Sequence, residues 1–92
     1  MHPTTALIIF ANGAEVFTTP NNGKFFKDEE LQLIVGGLIE FVKCKDGRLM
    51  VLNEKRKLIG LPPNKKATRL YKHGDQDTIL GNVLVVDKYL IR

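Results

Sequence analysis

Leu38-Ile-Glu-Phe-Val-Lys43 and Arg48-Leu-Met-Val-Leu-Asn53 flank a short polar segment that contains Asp46-Gly47. Asp-Gly between two apolar, β-prone runs is a strong local signal for a hairpin, because both residues tolerate the positive φ of a tight turn. The two runs therefore predict a pair of neighbouring central strands. Working outward, Thr4 to Phe10 and Glu15-Val-Phe-Thr-Thr19 surround Asn12-Gly13 and predict a second hairpin at the start of the chain. Pro20-Asn21-Asn22-Gly23 is turn chemistry throughout and takes the chain off the sheet.

Between the hairpins, Asp28-Glu-Glu-Leu-Gln-Leu-Ile-Val35 places three acids where a first helical turn favours them, and Gly36-Gly37 follow as a stop. Leu31, Ile34 and Val35 share one stripe at helical spacing, so that stripe faces the sheet while Glu29 and Gln32 look outward. Beyond the second hairpin, Gly60-Leu61-Pro62-Pro63-Asn64 breaks any regular element, since proline cannot donate to a ladder and restricts the residue before it. One helical turn is expected at Lys65 to Leu70. Val83-Leu-Val-Val86 is the most apolar short run and predicts a buried final strand. This order argues an α+β fold: a small, mainly antiparallel sheet with one short helix packed on one face.

The chain has 92 residues, 43% of them hydrophobic, which is enough for one core and one domain spanning residues 1–92. Its apolar runs are far shorter than the roughly 20 residues of a membrane span, and Met1 to Phe10 lacks the marks of a signal peptide, so the expected location is cytoplasmic. Cys44 is the single cysteine, excluding an internal disulfide and a cysteine-rich zinc site. His2 and His73 read as surface residues, too few for a histidine-centred active site. Glu40 and Glu54 fall on the predicted strand pair and could hold a cation or act as acid and base only if the hairpin brings them together. No phosphate-cradling glycine motif is present. The residues thus predict no cofactor and no enzyme.

Charge is the informative asymmetry. From Lys55 to His73 there are Lys55, Arg56, Lys57, Lys65, Lys66, Arg69 and Lys72 with no acid, half of the 14 basic side chains. Removing this +7 from the net +4 leaves −3 for the remainder. A chain so divided is expected to meet an anionic partner through its basic segment. Asn53, Asn64, Thr68 and Asn82 are polar residues near that segment that could orient a ligand.

Three pieces carry a family likeness: Leu31-Gln32-x-x-Val35-Gly36-Gly37-x-Ile39-Glu40, then Asn53-Glu54-x-x-Lys57-Leu58-x-Gly60-Leu61-Pro62-x-Asn64-x-x-Ala67-Thr68, then Ile79-x-Gly81-Asn82-x-x-Val85-Val86. In this order they resemble the domain of unknown function 3846 family of small bacterial, phage and mobile-element proteins, over roughly residues 28–87. Arg56 departs from the glycine common at its position in that family, which makes the local turn more basic. The resemblance implies no established activity. It does imply a mobile-element context, and its polar positions Glu40, Asn53, Glu54, Asn64 and Thr68 flank the basic segment.

The combined expectation is a non-enzymatic protein that captures a small anionic ligand, such as a nucleotide immune signal, in an anti-defence role. Arg56, Lys57, Lys65, Lys66 and Arg69 would neutralise phosphates while Asn53, Asn64 and Thr68 orient sugar or base, within a cleft shared in a homo-oligomer. Two alternatives stand beside it. One is a nucleic-acid-binding accessory protein using residues 55–72, and the other an inhibitor of a host protein that docks through a strand edge. A metal-assisted hydrolase using Glu40 and Glu54 is the least supported reading.

Overall fold

In a computed structural model, which describes residues 4–91, the chain forms β1 (Ala6–Ile9), β2 (Glu15–Thr18), α1 (Asp28–Val35), β3 (Ile39–Lys43), β4 (Leu49–Asn53), α2 (Lys65–Leu70) and β5 (Val83–Val86), then a single 3₁₀ turn at Lys88–Leu90. The expectation for His2 lies outside the described residues. The five strands make one sheet in the order β2-β1-β5-β4-β3, with every neighbouring pair antiparallel. This is the α+β architecture expected from the sequence. The Asp46-Gly47 hairpin pairs Ile39 with Asn53 through Lys43 with Leu49.

One placement differs from expectation. β3 and β4 are paired but not both central, because the last strand inserts between the two hairpins and leaves β3 at an edge. The cause is burial on both faces. All four residues of β5 are buried, and a strand with no polar side needs cover on each face. Leu84 and Val86 pack with Leu31 and Val35 of α1 and with Val51, Phe26 and Leu90. Val83 and Val85 face the opposite way, against Ile9, Met50, Leu52, Ile79 and Ala67 of α2. The predicted helical turn is thus a full short helix that covers the second face.

α1 begins where Glu30 reaches back to accept the backbone N–H of Lys27 at 2.9 Å, with Asp28, Glu29 and Glu30 at the positive end of the helix dipole. It stops at Gly36, whose φ of 83° lies in the left-handed region and whose N–H donates to the Gln32 carbonyl at 2.8 Å. Leu31 and Val35 are buried, as the stripe predicts, while Glu29 and Gln32 are exposed. Among the described residues no helix is long and apolar enough to cross a membrane.

Candidate functional site

The fold scatters the basic segment over three supports. Lys55, Arg56 and Lys57 sit on the turn after β4, Lys65, Lys66 and Arg69 on α2, and Lys72 on the chain leaving α2. Arg56 turns inward and is only 8% exposed. Its Nη1 donates to Glu40 Oε1 at 2.8 Å and to the Asn53 carbonyl at 3.3 Å, while its buried Nε has no partner. No described residue other than glycine has a positive φ, so arginine occupies this turn without backbone strain. Lys57 pairs with Asp77 at 3.3 Å, and Lys66 reaches Glu15 at 2.8 Å and the Gly13 carbonyl at 2.6 Å.

The polar residues expected to orient a ligand make hydrogen bonds within the chain. Asn64 is fully buried. Its Nδ2 donates to the carbonyls of Ile9 and Gly81, both at 2.9 Å, and its Oδ1 accepts the Ala67 N–H at 3.0 Å as the cap of α2. Thr68 Oγ1 donates to the Asn64 carbonyl at 2.8 Å and accepts the Ile79 N–H at 2.9 Å. Asn53 Nδ2 donates to the Val35 carbonyl at 3.2 Å, and its Oδ1 accepts the Lys55 N–H at 2.8 Å. Asn82 Oδ1 accepts the Ala11 N–H at 3.0 Å. Glu54 is exposed at the end of β4, while Glu40 is engaged by Arg56. Among the described residues no group of three or more His, Cys, Asp or Glu side chains could hold a metal ion.

What remains outward is a cationic ridge. Lys65 and Arg69 are exposed, lie four residues apart on α2 and so share one helix face. Neither has an acidic partner among the described residues. Two shallow depressions flank them. One, of about 370 Å³, is bounded by Asn12, Gly13, Pro63 and Lys66, and the other, of about 450 Å³, by Pro63, Thr68 and Thr78, with Lys65 and Arg69 lining both. Both are open to solvent, so the ridge is a surface and not the wall of a closed cleft. The carboxyl end of α2 abuts the β3–β4 hairpin, where Lys45 N–H donates to the Leu70 carbonyl and Lys72 N–H to the Lys43 carbonyl. Lys43, Lys45 and Lys72 are exposed beside this contact without acidic partners among the described residues, but Lys43 pairs with Leu49, which packs on the α1 side, so its side chain leaves the sheet on the face opposite α2.

Thr78, which lines the second depression, was absent from the sequence-predicted site. The bridge between Cys44 and Tyr71, which docks the hairpin against the end of α2, is a long-range pairing that local pattern does not signal. Tyr71 is half-buried, with its ring edge-on to His73 at 5.7 Å.

The fold and this surface define a small α+β domain with a basic outer ridge and a polar network turned inward. The chain matches the family model described as Domain of unknown function (DUF3846) over residues 7–89, nearly its whole length, and belongs to that family. No curated protein and no solved structure matches it.

Proposed function

We propose that this domain is a non-enzymatic binding module that lays the α2 ridge of Lys65 and Arg69 along a phosphate-bearing polyanion, the backbone of a nucleic acid. The observation that carries this reading is the exposure of Lys65 and Arg69 without acidic partners on one face of α2. Cations left unpaired on an open surface attract phosphates at little desolvation cost. Among the described residues no aromatic side chain lines the two depressions beside Lys65 and Arg69, which argues for backbone contact there over base stacking, since single-strand binders stack bases on exposed rings.

Anisotropy titrations with duplex oligonucleotides of unrelated sequence test the reading. Affinities should be similar across sequences and fall with salt at a log–log slope of about −2, as expected for two neutralised phosphates. Absence of binding at low salt would sink it.

A second reading keeps a small phosphate ligand, of the kind a nucleotide immune signal presents. The depression of about 450 Å³ between Lys65, Arg69 and Thr78 supports it, because it offers two cations and a hydroxyl. That ligand would be held without help from Asn64 or Thr68, whose hydrogen-bonding groups are engaged within the chain. Saturable binding of a mononucleotide that persists at high salt would favour sequestration in an anti-defence role.

A further inference from the structure

Four large aliphatic side chains stand unburied at the end of the molecule where α1 stops and the turn after β4 begins. Leu33 is 84% exposed, Leu58 82%, Ile59 57% and Leu38 54%. α1 is short and its inward stripe is completed by Leu31 and Val35, which leaves Leu33 outside. Leu38 is held beside the turn by its carbonyl, which accepts the Glu54 N–H at 2.8 Å. Leu33 and Ile59 also border a groove of about 320 Å³ between the end of α1 and Leu61, Pro62 and Asn82.

At these exposures the four side chains present on the order of 500 Å² of apolar surface, within the ~300–600 Å² of the largest patch on a typical monomer. Such a patch on a small domain is a docking surface or a liability. A protruding leucine beside an apolar groove is self-complementary under a two-fold axis, because the same surface supplies both knob and hole. Burying the patch on two copies removes ~1,000 Å² of apolar area and, with its polar rim, reaches the lower part of the ~1,200–2,000 Å² range of stable interfaces.

We infer that this end is the interface of a two-fold homodimer, with Leu33 of each copy seated in the groove beside Ile59 and Leu61 of the other. The inference does not depend on the ligand of the α2 ridge, since α1 and α2 cover opposite faces of the sheet.

Sedimentation velocity from about 1 to about 500 μM, a span suited to an interface at the low end of the size range, measures the association. The expected result is a concentration-dependent dimer whose association constant falls ~tenfold or more in Leu33→Lys and in Ile59→Lys, with unchanged circular dichroism. Phe17→Lys on the edge strand β2, also an exposed apolar position, should leave it unaltered. A monomer throughout the range overturns the inference, as does a dimer indifferent to both groove substitutions or one abolished by Phe17→Lys. Dilution of the wild-type protein gives a reading that requires no variant to fold. Methyl resonances of Leu33 and Ile59 should shift across the transition, and if they stay fixed the interface lies elsewhere.

Discussion

Asn64 shows how one buried side chain can join three parts of a fold. Its amide group ties Ile9 at the end of β1 to Gly81 before β5, and its oxygen caps α2. Asn64→Ala would strand two carbonyls and one helix N–H in the interior, so it should lower the stability read from urea unfolding by roughly 3 kcal/mol. Asn64→Asp should not rescue it, because a carboxylate would face the same two carbonyls. Cys44 carries a different kind of prediction. Burial, reinforced by the Asp46 carboxylate and opposed by Arg48, pushes its thiol from 9.0 up to about 11. Between these values the unfolded chain has lost a proton that the folded chain keeps. The stability tied to this thiol is therefore complete below pH 9 and falls as pH rises towards 11, by on the order of 2 kcal/mol. Urea midpoints compared across that interval should show the loss in wild type and a flatter profile in Cys44→Ala.

Among the elements, those controlled by local chemistry were legible in the sequence. Three leading acids and a trailing Gly36 bound α1 at the residues observed, and Asp46-Gly47 marked the β3–β4 hairpin. The run Val83–Val86 declared its burial but not its neighbours, since a fully apolar strand says only that both faces are covered. Its insertion between the hairpins depends on α2 supplying the second face, and α2 is a six-residue helix that follows two prolines. The site was less legible for a related reason. Asn53, Asn64 and Thr68 look the same in sequence whether they face a ligand or a backbone, and here unpaired chain ends at irregular turns claim them. Glu40 and Arg56 likewise join β3 to the turn after β4, an ion pair at 2.8 Å whose acid is 42% exposed and whose cation is largely buried. Solvent reaching Glu40 screens the pair, so a double-mutant cycle with Glu40→Gln and Arg56→Met should give a coupling of only about 0.5–1 kcal/mol. A coupling near zero would mean that Arg56 holds the turn through its packed stem alone.

Across the whole molecule, basic residues that sequence counting treats as equal are made unequal by the fold. Seven cations fall within residues 55–73, yet Arg56, Lys57 and Lys66 are neutralised by Glu40, Asp77 and Glu15. Lys55, Lys65, Arg69 and Lys72 have no acidic partner among the described residues, and of these only Lys65 and Arg69 share a helix face. The field that a polyanion meets is accordingly centred on Lys65 and Arg69, not on the mean position of the basic segment. This ranking separates the proposed nucleic-acid surface from a diffuse effect of net charge. Lys65→Ala and Arg69→Ala remove the same formal charge as Lys66→Ala. If phosphates dock on the ridge, each of the first two should weaken duplex binding several-fold and reduce the salt slope by about 1. Lys66→Ala should change the slope by much less, because its cation already faces Glu15 and the Gly13 carbonyl. Anisotropy titrations of the three variants at matched ionic strengths make the comparison. Equal losses in all three would show that net charge alone drives binding, and the assignment to the α2 ridge would then fail.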